Sequence, residues 1–191
     1  MLILNKDDKK WADEIWEKLD KKFSKSAVSA GEKIPYTTVD GVYNDLAEEA
    51  INGWTNGFWP GLMWLMYVGT KNEVYRKTAE NAEKRLDCAL YTPSMLHHDV
   101  GFMWHISSGI NYRLFGTQES KERTLTAANV LAGRYNCRGK YIRAWEEEDA
   151  RGKVIIDCMM NIPLLYWASK ETKDLRYYYI AENQADHTIE T

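Results

Sequence analysis

The chain has 191 residues, 45% of them hydrophobic and 28% charged, with a formal charge of −3. That size and balance suit one folded domain with a sizeable core and exclude a disordered chain. The small net charge, without a dense Lys/Arg stripe, excludes a nucleic-acid surface, and no apolar run reaches the about 18 residues of a membrane span.

The start of the chain, Met1-Leu2-Ile3-Leu4-Asn5-Lys6, turns polar too soon for a secretory leader. Cys88, Cys137 and Cys158 are an odd, scattered set without a CxxC pair, which reads as reduced core thiols of a cytoplasmic protein. Eight tryptophans and twelve tyrosines exceed ordinary core needs. Such an excess suits ring stacking on flat ligands or sugar faces.

Residues 7–23 predict an amphipathic helix, with Trp11, Ile15, Trp16, Leu19 and Phe23 at helical spacing. Residues 24–38 contain Ser, Gly and Pro and read as a loop, and 39–51 as a helix with an acidic outer face. Three aromatic-rich segments follow, opening at Asn56, Asp99 and Asn161. Each begins with a good N-cap residue and is apolar nearly all round, as a buried helix is. A more polar helix follows each, for example one with the single stripe Val74, Ala79, Ala82 and Leu86.

The junctions repeat. Gly69-Thr70 and Gly116-Thr117 each place a helix stop before a capping threonine, and Thr70 with Glu73 spells a capping box. A third junction, Ser169 to Asp174, lacks the glycine but keeps Thr172. Alternating buried and half-buried helices with a period of about 50 residues predict stacked α-hairpins. The expected fold is all-α, with the hairpins closing as an (α/α)6 toroid, or else running on as an open helical solenoid, and residues 1–191 forming a single domain of about the first half of the toroid. An open half-toroid would leave inner aromatic surface exposed unless two copies pair as a homodimer.

The run Val154 to Trp167 places one carboxylate, Asp157, among apolar side chains. An unpaired buried charge costs several kcal/mol, so such a group shifts its pKa or finds a partner. Asn161 reads as a helix cap and Pro163 as a first-turn residue, which sets Asp157 just ahead of a buried helix. The plain alternative is a structural Asp bonded to nearby amides. If the inner helices run the same way, Asn56, Asp99, Asp157 and Asn161 share one rim with Trp54, Trp59 and Trp104. Helix N-termini aimed at one cavity favour an anion such as a substrate carboxylate. Two aspartates in an aromatic-walled pocket have their pKa values pushed apart, so that one can serve as an acid on a sugar.

His97-His98-Asp99 and His105 show no metal-ligand spacing on one helical face, so neither metal nor cofactor is expected. His105 reads as a satisfied core histidine. Glu146 to Asp149 read as a solvated charge run, and Trp145 just before it can reach the pocket from the loop.

Thr55-Asn56-Gly57-Phe58-Trp59-Pro60-Gly61, His98-Asp99-Val100-Gly101-Phe102 and above all Ile155-Ile156-Asp157-Cys158-Met159-Met160-Asn161-Ile162-Pro163-Leu164-Leu165 resemble, in that order, the unsaturated glucuronyl hydrolases of glycoside hydrolase family 88. The resemblance covers essentially the whole chain but only the N-terminal half of that family's (α/α)6 barrel. It implies release of a 4,5-unsaturated uronic acid from the non-reducing end of lyase-generated oligosaccharides, by hydration of the vinyl ether. Asp157 matches the family's general acid/base and Asp99 its second essential carboxylate. His98, Trp145, Trp54 and Asn56 fall at or near positions lining the uronate site. The implied partner is an unsaturated oligosaccharide of glycosaminoglycan type. A related unsaturated rhamnogalacturonyl hydrolase, or an inactive helical scaffold, are the competing readings.

Overall fold

The computed structural model describes residues 5–145, 147–150 and 152–190. Glu146 of the predicted charge run, and the first four residues, lie outside them.

Helix α1 runs Lys6–Ala30, because Asn5 Oδ1 caps it by accepting from Asp8 N and acidic Asp7 and Asp8 favour its first turn. It extends past the expected end at 23, since Ala27 and Ala30 are buried and Gly31 (φ 60°) is the first residue to leave helical geometry. Instead of a helix over 39–51, strands β1 (Thr38–Val39) and β2 (Val42–Tyr43) pair antiparallel. The turn between them is Asp40-Gly41, both at positive φ (52° and 78°), a dipeptide that suits a tight hairpin. Only the short helix α2, Leu46–Glu49, remains of the predicted element.

A single 3-10 turn, Trp54–Gly57, leads into α3 (Phe58–Thr70), and α4 follows (Glu73–Leu90). The left-handed residue closing α3 is Lys71, not Gly69. Gly69 is small for another reason: a Cβ there would stand 2.0 Å from the Trp16 ring. Asn72, not Thr70, caps α4, accepting from Val74 N at 3.0 Å. Next come α5 (Val100–His105), α6 (Ser108–Phe115), which ends at the expected left-handed Gly116, and α7 (Gln118–Gly133). The two-residue strands β3 (Tyr135–Asn136) and β4 (Tyr141–Ile142) form a second hairpin. The described chain closes with α8 (Cys158–Thr172) and α9 (Leu175–Glu190).

Two layers result. In one, α3 touches α6, and α5 touches α6 and α8; in the other, α1 touches α4, α4 touches α7, and α7 touches α9. Each helix of the first layer backs onto the second, α3 on α4, α5 and α6 on α7, and α8 on α9. Met63, Trp64, Leu86, Met103, Trp104, Leu131, Leu164 and Leu165 fill the space between, each at most 1% exposed. Each such side chain contributes about 1.5–3 kcal/mol by leaving water. The first-layer helices are not apolar-buried all round: Phe58, Leu65 and Met160 are exposed. Phe58, Leu62, Leu65, Ile106 and Ile110 there line an apolar groove of about 660 Å³. Among the described residues no helix is long and apolar enough to cross a membrane.

Candidate active site

Asp99 and Asp157 occupy the same structural position on two adjacent helices. Each is the residue just before the first turn, of α5 and α8, and neither side chain caps its own helix. Both are therefore free to point at each other. One atom from each of His98, Asp99 and Asp157 lie within 4.8 Å of one another.

Asn161 and Pro163 both sit inside α8, which begins at Cys158, so neither has the expected terminal role. The Asn161 side chain instead spans the gap to α5. Its Oδ1 accepts from Phe102 N at 2.9 Å, and its Nδ2 lies 3.5 Å from Asp99 Oδ1. His98, 1% exposed, places Nε2 3.2 Å from Asp99 Oδ1 and 3.7 Å from Asp157 Oδ1. His97 lies on the far side of Asp99, with Nδ1 3.0 Å from Oδ2.

The environments push the two carboxyls apart. Desolvation, then the neighbouring charge and hydrogen bond of Asp99, push the Asp157 carboxyl up to about 6. Burial acts upward on Asp99 as well, but His97, His98 and Asn161 outweigh it and hold that carboxyl below the usual range. Burial pushes the His98 imidazole down, against the pull of Asp99. Asp157 Oδ1 is closed to solvent and has no donor. Two carboxylate oxygens can only accept, so a proton shared with Asp99 is what this arrangement fits. The same three groups are close enough for a cation in principle. His98 Nε2, however, is already turned to Asp99.

Trp145 joins the cluster, its ring centroid 6.3 Å from that of His98. The loop carrying it is tied down by Arg134, whose guanidinium donates to the carbonyls of Leu96, Arg143 and Ala144. One planar side chain thereby fixes both the approach to His98 and the approach to Trp145. Trp54 stands one aromatic layer away. It is 52% exposed and packs edge-on against Phe58 and Phe102. Asn56 is wholly buried, and its amide nitrogen is spent on the carbonyls of Ala50 and Ile51. As placed, it anchors the wall and offers no accessible atom to a ligand. Trp59 and Trp104 are buried core residues and do not reach the rim.

Other expectations are corrected. His105 is not satisfied: its Nδ1 is buried without a partner, and burial pushes its pKa down to about 4. Cys88 and Cys137 are exposed rather than core residues; Cys158 is buried, and burial pushes its thiol up to about 12. His97, Arg134 and the bridging role of Asn161 were not anticipated. His97 could have been noticed from its place two residues before Asp99. Arg134 gave no local signal, because its partners are carbonyls brought together by the fold.

No family model matches the chain. It is 39% identical over 133 residues, 68% of its length, to an unsaturated chondroitin disaccharide hydrolase of Streptococcus pneumoniae. It is 34% identical over 166 residues, 81% of its length, to the unsaturated glucuronyl hydrolase of Bacillus sp. GL1. The crystal structure of the latter, described as responsible for the degradation of glycosaminoglycan, superimposes on 85% of this chain with a TM-score of 0.72 at 32% identity. A solved UGL variant with dGlcA-Glc-Rha-Glc superimposes on 92% of it, with a TM-score of 0.79 at 30% identity. These solved folds are helical toroids, and the two layers described above form an arc of one. The chain spans 34% and 42% of the two curated relatives, and 44% and 47% of the two solved chains.

Proposed function

Because the chain belongs to the unsaturated glucuronyl hydrolases of glycoside hydrolase family 88, we propose that it removes a 4,5-unsaturated uronic acid from the non-reducing end of glycosaminoglycan-type oligosaccharides. The observation that carries this reading is Asp157, a carboxyl raised to about 6 beside an ionised Asp99. An acid is most effective when its pKa lies near the working pH.

The chemistry follows from that pair. Asp157 donates its proton to C4 of the vinyl ether, and positive charge develops at C5 next to the ring oxygen. Asp157, now a carboxylate, takes a proton from the water that adds at C5. The hemiketal so formed opens, the hemiacetal left at C1 collapses, and the partner sugar departs. Asp99 stays ionised, which opposes loss of the Asp157 proton before the substrate arrives and favours the cationic transition state. Trp145 and Trp54 offer ring faces to the sugar.

The reading extends to the cell and to assembly. Two exposed thiols suit the reducing cytoplasm, and pairing of two copies would cover the exposed apolar groove. Incubation with unsaturated chondroitin disaccharide should bleach the ultraviolet absorbance of the conjugated double bond. Asp157→Asn should slow that decay by about 10²–10⁴-fold. A folded wild-type protein that leaves the absorbance unchanged at high concentration would overturn the proposal.

A further inference from the structure

His97 makes two polar contacts that together fix a proton. Its Nε2 lies 2.9 Å from the carbonyl oxygen of Asn52, which can only accept, so Nε2 carries a hydrogen. A neutral ring would then present a lone pair at Nδ1, and Nδ1 is 3.0 Å from Asp99 Oδ2. Two bare acceptors do not sit at that distance, so a proton lies between them. The backbone N–H of Asp99 also donates toward Nδ1, at a longer 3.3 Å; with Oδ2 closer to the same nitrogen, a proton at Nδ1 serves the carboxylate.

The other surroundings of Asp99 decide where that proton stays. Its second oxygen faces the Asn161 amide and His98 Nε2, both able to donate to a carboxylate. Donors around a carboxylate favour its ionised form, which leaves the proton on the His97 ring. The further titratable or charged groups acting on this cluster are Asp157, Cys158 and Arg134.

We propose that His97 is a positioning residue that decides which of the two carboxyls keeps the proton they share. Anchored on Asn52, with both ring nitrogens protonated, it holds Asp99 as the carboxylate and so leaves the proton on Asp157. Without it the singly protonated pair redistributes toward protonated Asp99 and ionised Asp157, a form that cannot protonate C4. The two protons of such a pair come off in steps belonging to both groups, so the placement of the proton, and not one site's pKa, is what His97 controls. The inference rests on the reading of Asp157 as the acid.

The test compares wild type with His97→Gln and His97→Asn, both checked for folding by circular dichroism. Gln can keep the contact to Asn52, and Asn can keep an uncharged donor toward Asp99. Side-chain carboxyl ¹³C shifts, assigned with Asp99→Asn and Asp157→Asn, are read at about pH 5, between the usual Asp value and that of Asp157. The wild type should show ionised Asp99 and protonated Asp157, and ring ¹⁵N shifts should show a doubly protonated His97. In the His97 variants the proton should appear on Asp99. The plateau kcat on unsaturated chondroitin disaccharide should fall roughly tenfold or more, KM should stay within about twofold, and the acid limb of the pH profile should move up. A folded His97 variant with ionised Asp99 and an unmoved acid limb would overturn the proposal, as would a singly protonated His97 ring in the wild type. Absence of wild-type turnover would count against the proposed function, while the NMR arms would still decide the role of His97.

Discussion

A Cβ placed on Gly101 would stand 2.5 Å from the Cα of Asn161, so the two helices whose first turns follow Asp99 and Asp157 meet without room for a methyl group. This close approach lets Asn161 reach across to Phe102 N and the Asp99 carboxylate. Gly101→Ala should therefore destabilise the fold by about 1–3 kcal/mol or more, as overpacking against backbone does. It should also lower the activity of the molecules that remain folded. Urea unfolding followed by tryptophan fluorescence gives the first quantity; an unchanged midpoint would show that α5 and α8 can move apart freely.

The raised Asp157 carboxyl makes stability depend on pH with a definite sign. Its folded value of about 6 lies above the ordinary 3.8, so folding favours the protonated form. Stability is therefore lost as pH rises from about 3.8 to about 6. Asp157→Asn is neutral at every pH. Its Tm should exceed that of the wild type above pH 6 and converge with it near pH 4, as scanning calorimetry can show. Activity should fall across the same upper boundary, because Asp157 loses its proton there.

Glu83 ties four helices together from within the second layer. It is 2% exposed, and it accepts from Trp64 Nε1 (2.8 Å) on α3, Asn111 Nδ2 (3.1 Å) on α6 and Ser120 Oγ (2.9 Å) on α7. Burial pushes its carboxyl up against the pull of these three donors. Glu83→Gln keeps the shape but turns an amide hydrogen toward one of the donors, and should cost about 1–3 kcal/mol. The unfolding midpoint should fall and Trp64 emission should shift, with the pH profile of turnover unchanged.

Arg134→Lys removes the planar fork that serves three carbonyls at once. A single ammonium cannot reproduce that geometry. With His98 and Trp145 released together, kcat/KM on the unsaturated disaccharide should fall about 10–100-fold. Circular dichroism should change little.

The sequence made the hairpin repeat readable because helix period, glycine stops and aromatic runs are local signals. It also brought Asp99 and Asp157 to one rim, since both precede inner helices. What it hid is long-range. His97 finds Asn52, and Arg134 finds Leu96, only once loops distant in sequence have met. Taken alone, Glu83 is one more charge on a polar helix. Its spacing from Ala79 and Leu86, four before and three after, nevertheless puts it on the buried stripe. The Asp40-Gly41 hairpin was marked by its own dipeptide and was overridden by an apparent helical pattern. Pro163 was expected at a helix start because an interior proline costs a hydrogen bond; packing of Ile162, Leu164 and Leu165 into the core holds α8 together around it.

The central claim is that Asp157 delivers a proton to C4 of an unsaturated uronyl group. Turnover of unsaturated chondroitin disaccharide in D2O, with the released sugar examined by NMR, tests it most directly. One deuterium at C4, absent with Asp157→Asn, is the result this account predicts. Release of the sugar with the double bond intact, or with C4 undeuterated, would contradict it.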